Sequence, residues 1–218
     1  MLWGMFDESY EHDKRSGHAT KVTVGGCIAD AGAWVVLSGE WAAALERFEV
    51  SAFHMTDFEA NQRAFRGWDQ YPERRHALLA TLLDIGTRYI RHFLGVAREV
   101  ENASGKEAEA YRLCVSDLVK QLAGTEHQRH RCRFSIVFAK QSAFRAEMCR
   151  IAIEKDGGER FGSVSSNEPE SMSPLQLADI VAYEISRAQR FGGPERYPFR
   201  RLRDVARHGY GTFSLSWR

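Results

Sequence analysis

Phe6-Asp7-Glu8-Ser9 places two adjacent carboxylates and a hydroxyl at the end of a short apolar run. A carboxylate in an apolar setting is costly unless a cation or hydrogen-bond donors accompany it. A metal ion is one resolution, and a solvated turn is the other. Strand alternation turns Asp7 and Glu8 to opposite faces, so only one of them faces any given ion. A second group lies far along the chain, in Pro174-Leu175-Gln176-Leu177-Ala178-Asp179-Ile180-Val181-Ala182-Tyr183. Gln176 and Asp179 are three residues apart, which brings them to one side of a helix and lets an amide orient whatever the carboxylate binds. An Asp early in a helix serves equally well to compensate the helix dipole.

His54-Met55-Thr56-Asp57 offers an imidazole three residues before a carboxylate. That spacing suits a general base with its orienter or a metal ligand, and it equally suits a structural His followed by a capping Asp. In His127-Gln128-Arg129-His130-Arg131-Cys132-Arg133 two imidazoles and a thiol raise zinc. No second ligand pair stands at finger-like spacing, so a basic exposed connection is the better reading. Cys27, Cys114, Cys132 and Cys149 are scattered without a C-x-x-C pair, which argues for reduced thiols over a disulfide framework. Ser9 has no motif context for a nucleophile. The motifs of nucleotide-binding loops, Rossmann turns, hydrolase elbows and zincins are all missing.

The elements that must position these residues follow from periodicity. Met1–Phe6 and Thr20–Ile28 read as two strands joined by a polar loop at Tyr10–Gly17, a hairpin. Trp34, Leu37, Trp41, Ala44, Leu45 and Phe48 fall at three- and four-residue intervals and predict a helix over Ala33–Phe48, although Trp34–Leu37 also reads as a strand. Val50–Met55 is expected to be a third strand, delivering His54 near its end. Pro72 opens a helix running toward Ile90, and His92–Val100 is the next strand. A helix over about Glu107–Leu122, a strand at Phe134–Phe138, a helix near Ser142–Lys155 and a last strong helix at Pro174–Gln189 complete the pattern. Strands first, then strand and helix in alternation, predict an α/β fold with a mixed sheet flanked by helices.

At 218 residues, with 44% hydrophobic and 27% charged residues, the chain is expected to form a single folded domain over 1–218. Its net charge of +1 supplies no overall field for nucleic acid or an acidic membrane, so such a partner must be met by a local patch. One candidate is the basic, aromatic C-terminal tail, about 191–218, where Arg200, Arg201 and Arg203 lie among Tyr197, Phe199, Tyr210, Phe213 and Trp217. That composition suits phosphate contacts and base stacking, and also suits docking of the tail on its own core. The apolar start lacks a basic region and meets Asp7 and Glu8 at once, and no run is long enough for a bilayer, so a cytoplasmic protein without a membrane partner is expected.

Taken in order, Phe6-Asp7-Glu8-Ser9, Val24-Gly25-Gly26, Phe53-His54-Met55-Thr56-Asp57 and Ser173-Pro174-Leu175-Gln176-Leu177-Ala178-Asp179 resemble the domain-of-unknown-function 3800 family across nearly the whole chain. The Leu-Gln-x-Ala-Asp element is the most specific piece. The resemblance implies a ribonuclease H-like fold and a metal-dependent nuclease or phosphodiesterase activity. In that plan carboxylates from the first strand, a later strand and a late helix hold Mg²⁺ or Mn²⁺, hard cations that suit oxygen ligands. By matching motif Asp7 is the first-strand ligand and Asp179 the late-helix ligand, with Glu8 beside them and His54 and Gln176 as supporting polar residues. The chain departs from the family where an Asp commonly follows the strand Ser135–Phe138, because Ala139-Lys140-Gln141 stands there. Glu168 is a substitute ligand by position. The alternative is a catalytically degenerate member that binds nucleic acid or a protein through the same cleft or through Arg200, Arg201 and Arg203.

Overall fold

Strand β1 (Leu2–His12) runs antiparallel to β2 (Ala19–Asp30), which runs antiparallel to β3 (His92–Glu99). β4 (Phe134–Ala139) lies parallel to β1 on its other side, β5 (Phe161–Asn167) parallel to β4, and β6 (Thr212–Trp217) parallel to β3. The result is one mixed six-stranded sheet in the order β5-β4-β1-β2-β3-β6. The computed structural model describes residues 1–90, 92–100, 106–124, 133–140, 161–191, 196–208 and 212–217. The expected helix at 142–155 and the His127–Cys132 stretch lie outside the described residues.

Helices cover both faces. On one side α4 (Lys106–Gly124) packs Tyr111, Cys114, Val115 and Leu118 against Phe6, Val22, Val24 and Phe138. On the other lie α1 (Ala31–Arg47), α3 (Pro72–Tyr89) and α5 (Ser173–Phe191), around Met5, Cys27 and Val137. Asp30 caps α1 by accepting the Ala33 N–H at 2.9 Å, and Trp34, Leu37 and Trp41 are buried while Val35 is 72% exposed. A strand would have alternated, so Trp34–Leu37 is helical.

α5 is buried on nearly all sides: Leu175, Leu177, Ala178, Ile180, Val181 and Ala182 are all at 0% exposure. It lies on β1 and β2, and α1, the short α2 (Met55–Glu59) and α6 (Tyr197–His208) close over it. Gly25 makes this possible. A β-carbon there would stand 2.7 Å from the Ala182 α-carbon, so only glycine lets the helix backbone rest on the strand.

Three expectations change. β1 does not stop at Phe6 but continues to His12, because Asp7 to Glu11 pair with Gly25 to Lys21 and a Lys21–Glu11 ion pair at 3.3 Å bridges the strands. The loop begins only at Asp13, whose carboxylate accepts the Arg15 and Ser16 N–H groups. Val50–Met55 forms no strand, and Met55 instead opens α2. Its N–H groups at Phe53 and Met55 are satisfied by α5 side chains, which removes the need for a strand neighbour. The C-terminal segment is not a loose tail: it folds as α6 and β6, and β6 extends the sheet along β3. Among the described residues no helix is long and apolar enough to cross a membrane.

Candidate functional site

Asp7 sits mid-strand in β1 on the face that α5 covers, and is 4% exposed. Glu8 is also buried but has the opposite parity, sharing its face with Phe6 on the α4 side, so the two carboxylates do not act on one ion. Asp179, in the second turn of α5, is 4% exposed and meets Asp7 closely enough to raise its proton affinity. Close packing of α5 at Gly25, the residue paired with Asp7 across β1 and β2, sets this approach.

Each carboxylate has one short backbone donor. Asp7 Oδ1 accepts the Glu8 N–H at 2.8 Å, and Asp179 Oδ2 accepts the Met55 N–H at 2.6 Å. Burial pushes the Asp7 carboxyl well above the usual range, with the Asp179 charge adding to it and the Glu8 N–H opposing. Burial likewise pushes Asp179 up to about 7, partly offset by the Met55 N–H and reinforced by the charge of Asp57. Among the described residues neither carboxylate has a Lys or Arg ion-pair partner. This is the pattern of like charges held together in a low-dielectric site.

His54 is the N-cap residue of α2, with extended backbone. Its Nδ1 lies 3.8 Å from Asp179 Oδ2, too far for a hydrogen bond, and is a buried atom without a hydrogen-bond partner, while the ring as a whole is 43% exposed. Asp57, in the first turn of α2, faces Arg63 Nε at 3.5 Å. Arg63 and Asn61 both hold positive φ, +48° and +53°, a left-handed backbone that non-glycine residues adopt at a cost. Arg75 fixes this stretch by donating to the Phe58 carbonyl at 2.8 Å and to the Asn61 side chain.

Gln176 is held by the fold through three hydrogen bonds. Its Oε1 accepts the Trp41 Nε1–H and the Phe53 N–H, both at 2.9 Å, and its Nε2 donates to the Pro169 carbonyl at 2.9 Å. It supports the site by holding the Phe53–Met55 backbone from which Asp179 takes its donor. The sequence carried a signal for the polar residues of this network. It carried none for Trp41, which reads as one more apolar helix position, or for the backbone of Met55.

The position where a third carboxylate is expected holds a methyl group. Phe138 pairs with Phe6, so Ala139 comes next to Asp7 on the neighbouring strand and is 6% exposed. Glu168 lies beyond the end of β5, and its side chain is 51% exposed and bridged to Lys140 at 3.0 Å. Among the described residues no group of three or more His, Cys, Asp and Glu is gathered as a metal cluster. Two carboxylates without a Lys or Arg counter-charge could hold one hard cation that takes its other ligands from water or substrate, as Mg²⁺ commonly does.

The arginines of the C-terminal segment are partly engaged. Arg201 pairs with Asp84 at 2.9 Å and Arg203 with Asp204 at 2.9 Å, while Arg200 is exposed. Cys27 and Cys114 are buried free thiols, and burial pushes Cys114 up to about 12 and Cys27 higher, so neither is poised as a nucleophile. No protein-family model matches the chain, and no curated protein matches it.

Proposed function

We propose that this chain is a divalent-cation-dependent phosphodiester hydrolase of ribonuclease H-like type, with Asp7 and Asp179 as its protein ligands for Mg²⁺ or Mn²⁺. The observation that carries the reading is the buried Asp7–Asp179 pair, one carboxylate from the first strand and one from a late helix, held together against their own repulsion. A cation removes that repulsion and lets both groups ionise. When bound, it supplies Lewis-acid activation of water and stabilisation of the leaving oxygen.

The chain's own residues do the rest. The Met55 and Glu8 N–H groups fix one oxygen of each carboxylate and leave the other for a ligand. His54 reaches from the buried pair toward solvent, so its ring faces an incoming substrate while Nδ1 stays beside Asp179. Gln176 keeps the segment carrying both His54 and the Met55 donor in register with α5. Reduced thiols such as Cys27 and Cys114 go with a cytoplasmic setting.

A second reading rests on Ala139 and on the Lys140–Glu168 ion pair, which leave the edge beside Asp7 without a third free carboxylate. In it the same cleft binds nucleic acid or a protein without turnover. Calorimetric titration of wild type, Asp7→Asn and Asp179→Asn with Mn²⁺ separates the two. The hydrolase reading requires binding by wild type, loss in both variants with folding intact, and Mn²⁺-dependent cleavage in a phosphodiester screen. No Mn²⁺ binding by folded wild type overturns it.

A further inference from the structure

Past the carboxylate pair, the seam between β1 and α5 opens into a polar cleft of about 120 Å³ lined by Ser9, Glu11, Tyr183, Ser186 and Arg187, among others. It lies farther along the same two elements that carry the site. Ser9 and Glu11 follow Asp7 on the same face of β1, and Ser9 is about 7 Å farther along the strand. Tyr183 and Ser186 follow Asp179 at four and seven residues along α5, and Tyr183 is about 6 Å farther along the helix. The opening triplet Asp7-Glu8-Ser9 thus divides its work, with Asp7 in the carboxylate pair and Ser9 in the cleft. The Ser9 hydroxyl is half-buried and takes part in no side-chain hydrogen bond among the described residues.

The cleft is built for an anion. Its one internal carboxylate, Glu11, is matched by Lys21 at 3.3 Å and accepts Ser186 Oγ–H at 3.5 Å. Arg187 donates to Tyr183 Oη at 3.2 Å and to Glu59 at 3.3 Å, and Arg196 shares the same Glu59 at 2.7 Å, so two guanidinium groups lie on one carboxylate. Glu184, 1% exposed, lies 3.6 Å from Arg196, and burial weakens its hold as a carboxylate by pushing it up to about 7. A guanidinium with hydroxyls of Ser and Tyr is the donor set that phosphate oxygens take.

We propose that this cleft binds a phosphate group of a nucleic-acid strand, one nucleotide along from the bond presented to Asp7 and Asp179. The inference rests on the hydrolase reading and supplies its substrate class. The step of about 6–7 Å along the seam suits a strand laid over it, with the backbone tracked by donors rather than by base contacts.

The test is fluorescence anisotropy of the full chain with a short labelled single-stranded oligonucleotide in chelator, with inorganic phosphate as competitor. Wild type is expected to bind in a salt-sensitive way. Ser9→Asp replaces a donor hydroxyl by a negative charge without removing a side-chain hydrogen bond of the folded protein and is expected to weaken binding by about tenfold or more, while Ser9→Asn, which keeps a donor, changes it little. Arg187→Gln is expected to weaken it similarly, and circular dichroism shows whether that variant folds; Ser9→Asp decides if it does not. Undiminished binding in folded Ser9→Asp, or no binding by wild type, overturns the inference. Binding of inorganic phosphate to the cleft by calorimetry, without any oligonucleotide binding, also overturns it, because the cleft then takes a small molecule. Cleft-dependent oligonucleotide binding alongside absent Mn²⁺ binding keeps the subsite and removes the hydrolase reading. Mn²⁺ binding with no cleft effect does the reverse.

Discussion

Neutralising Asp179 while keeping its shape isolates the electrostatic tension at the centre of the site. Asn at this position still accepts the Met55 N–H but carries no charge, so the backbone bond survives and the repulsion with Asp7 does not. In the folded protein the Asp179 carboxyl is held at about 7 against 3.8 for the ordinary group. A carboxyl with a raised folded value keeps its proton where the unfolded chain has lost it, so stability is greatest below pH 3.8 and falls as pH rises toward about 7. Each unit is worth about 1.4 kcal/mol, so between pH 5 and 8 this group alone removes about 2–3 kcal/mol from the metal-free wild type. Urea unfolding at the two pH values, in chelator, measures this as a difference of differences in which titrating groups away from the pair cancel, while Asp7, whose proton affinity the Asp179 charge raises, adds in the same direction. Asp179→Asn is expected to lose about 2–3 kcal/mol less than wild type over that interval. Equal losses in the two proteins refute the claim that the pair is strained by its burial. Mn²⁺ at about one hundred times its dissociation constant is expected to return about 2.7 kcal/mol to wild type at pH 8 and nothing to the variant.

Gly25→Ala forces a methyl group against the Ala182 backbone, and a destabilisation of about 2–3 kcal/mol in urea, with weaker Mn²⁺ binding, is expected; a neutral result shows that α5 has room to shift. Gln176→Leu leaves the Trp41 Nε1–H, the Phe53 N–H and the Pro169 carbonyl without their partner, and thermal or urea unfolding should show a loss of about 2–4 kcal/mol. Ala139→Asp adds a carboxylate beside Asp7 on the neighbouring strand, so calorimetry should find Mn²⁺ bound more tightly, by about tenfold, whereas unchanged affinity places the ion away from β4.

Much of this was legible in the sequence wherever period and caps agree. The first hairpin, the helix over Ala33–Phe48, the helix opened by Pro72, the strands at His92 and Phe134 and the late helix all carry apolar residues at one clear spacing. Asp7 and Asp179 were readable as carboxylates on buried elements, but their meeting depends on β1 and α5 packing through Gly25 and Ala182, a contact with no local signature. β5 was not recognised, because Phe161–Asn167 is mostly Ser, Gly and Asn and its side chains are largely exposed. The stretch 50–54 misled for the opposite reason: its apolar pattern serves the core through Val50 and Phe53 while its backbone is held by α5 side chains. β6 was hidden in a segment whose arginines suggested a surface role.

The seating of α5 on β1 and β2 also has a kinetic side. The β1–β2 hairpin closes through the short loop at 13–18, whereas the Met55–Asp179 bond spans 124 residues and the Trp41–Gln176 bond 135. Contacts with such long loops form late in folding. The repulsion between Asp7 and Asp179 then acts on the native state more than on the barrier, so raising the pH quickens opening and leaves the folding rate nearly unchanged. A cation shared by strand and helix works in the other direction, as a clasp that lengthens the lifetime of the closed molecule.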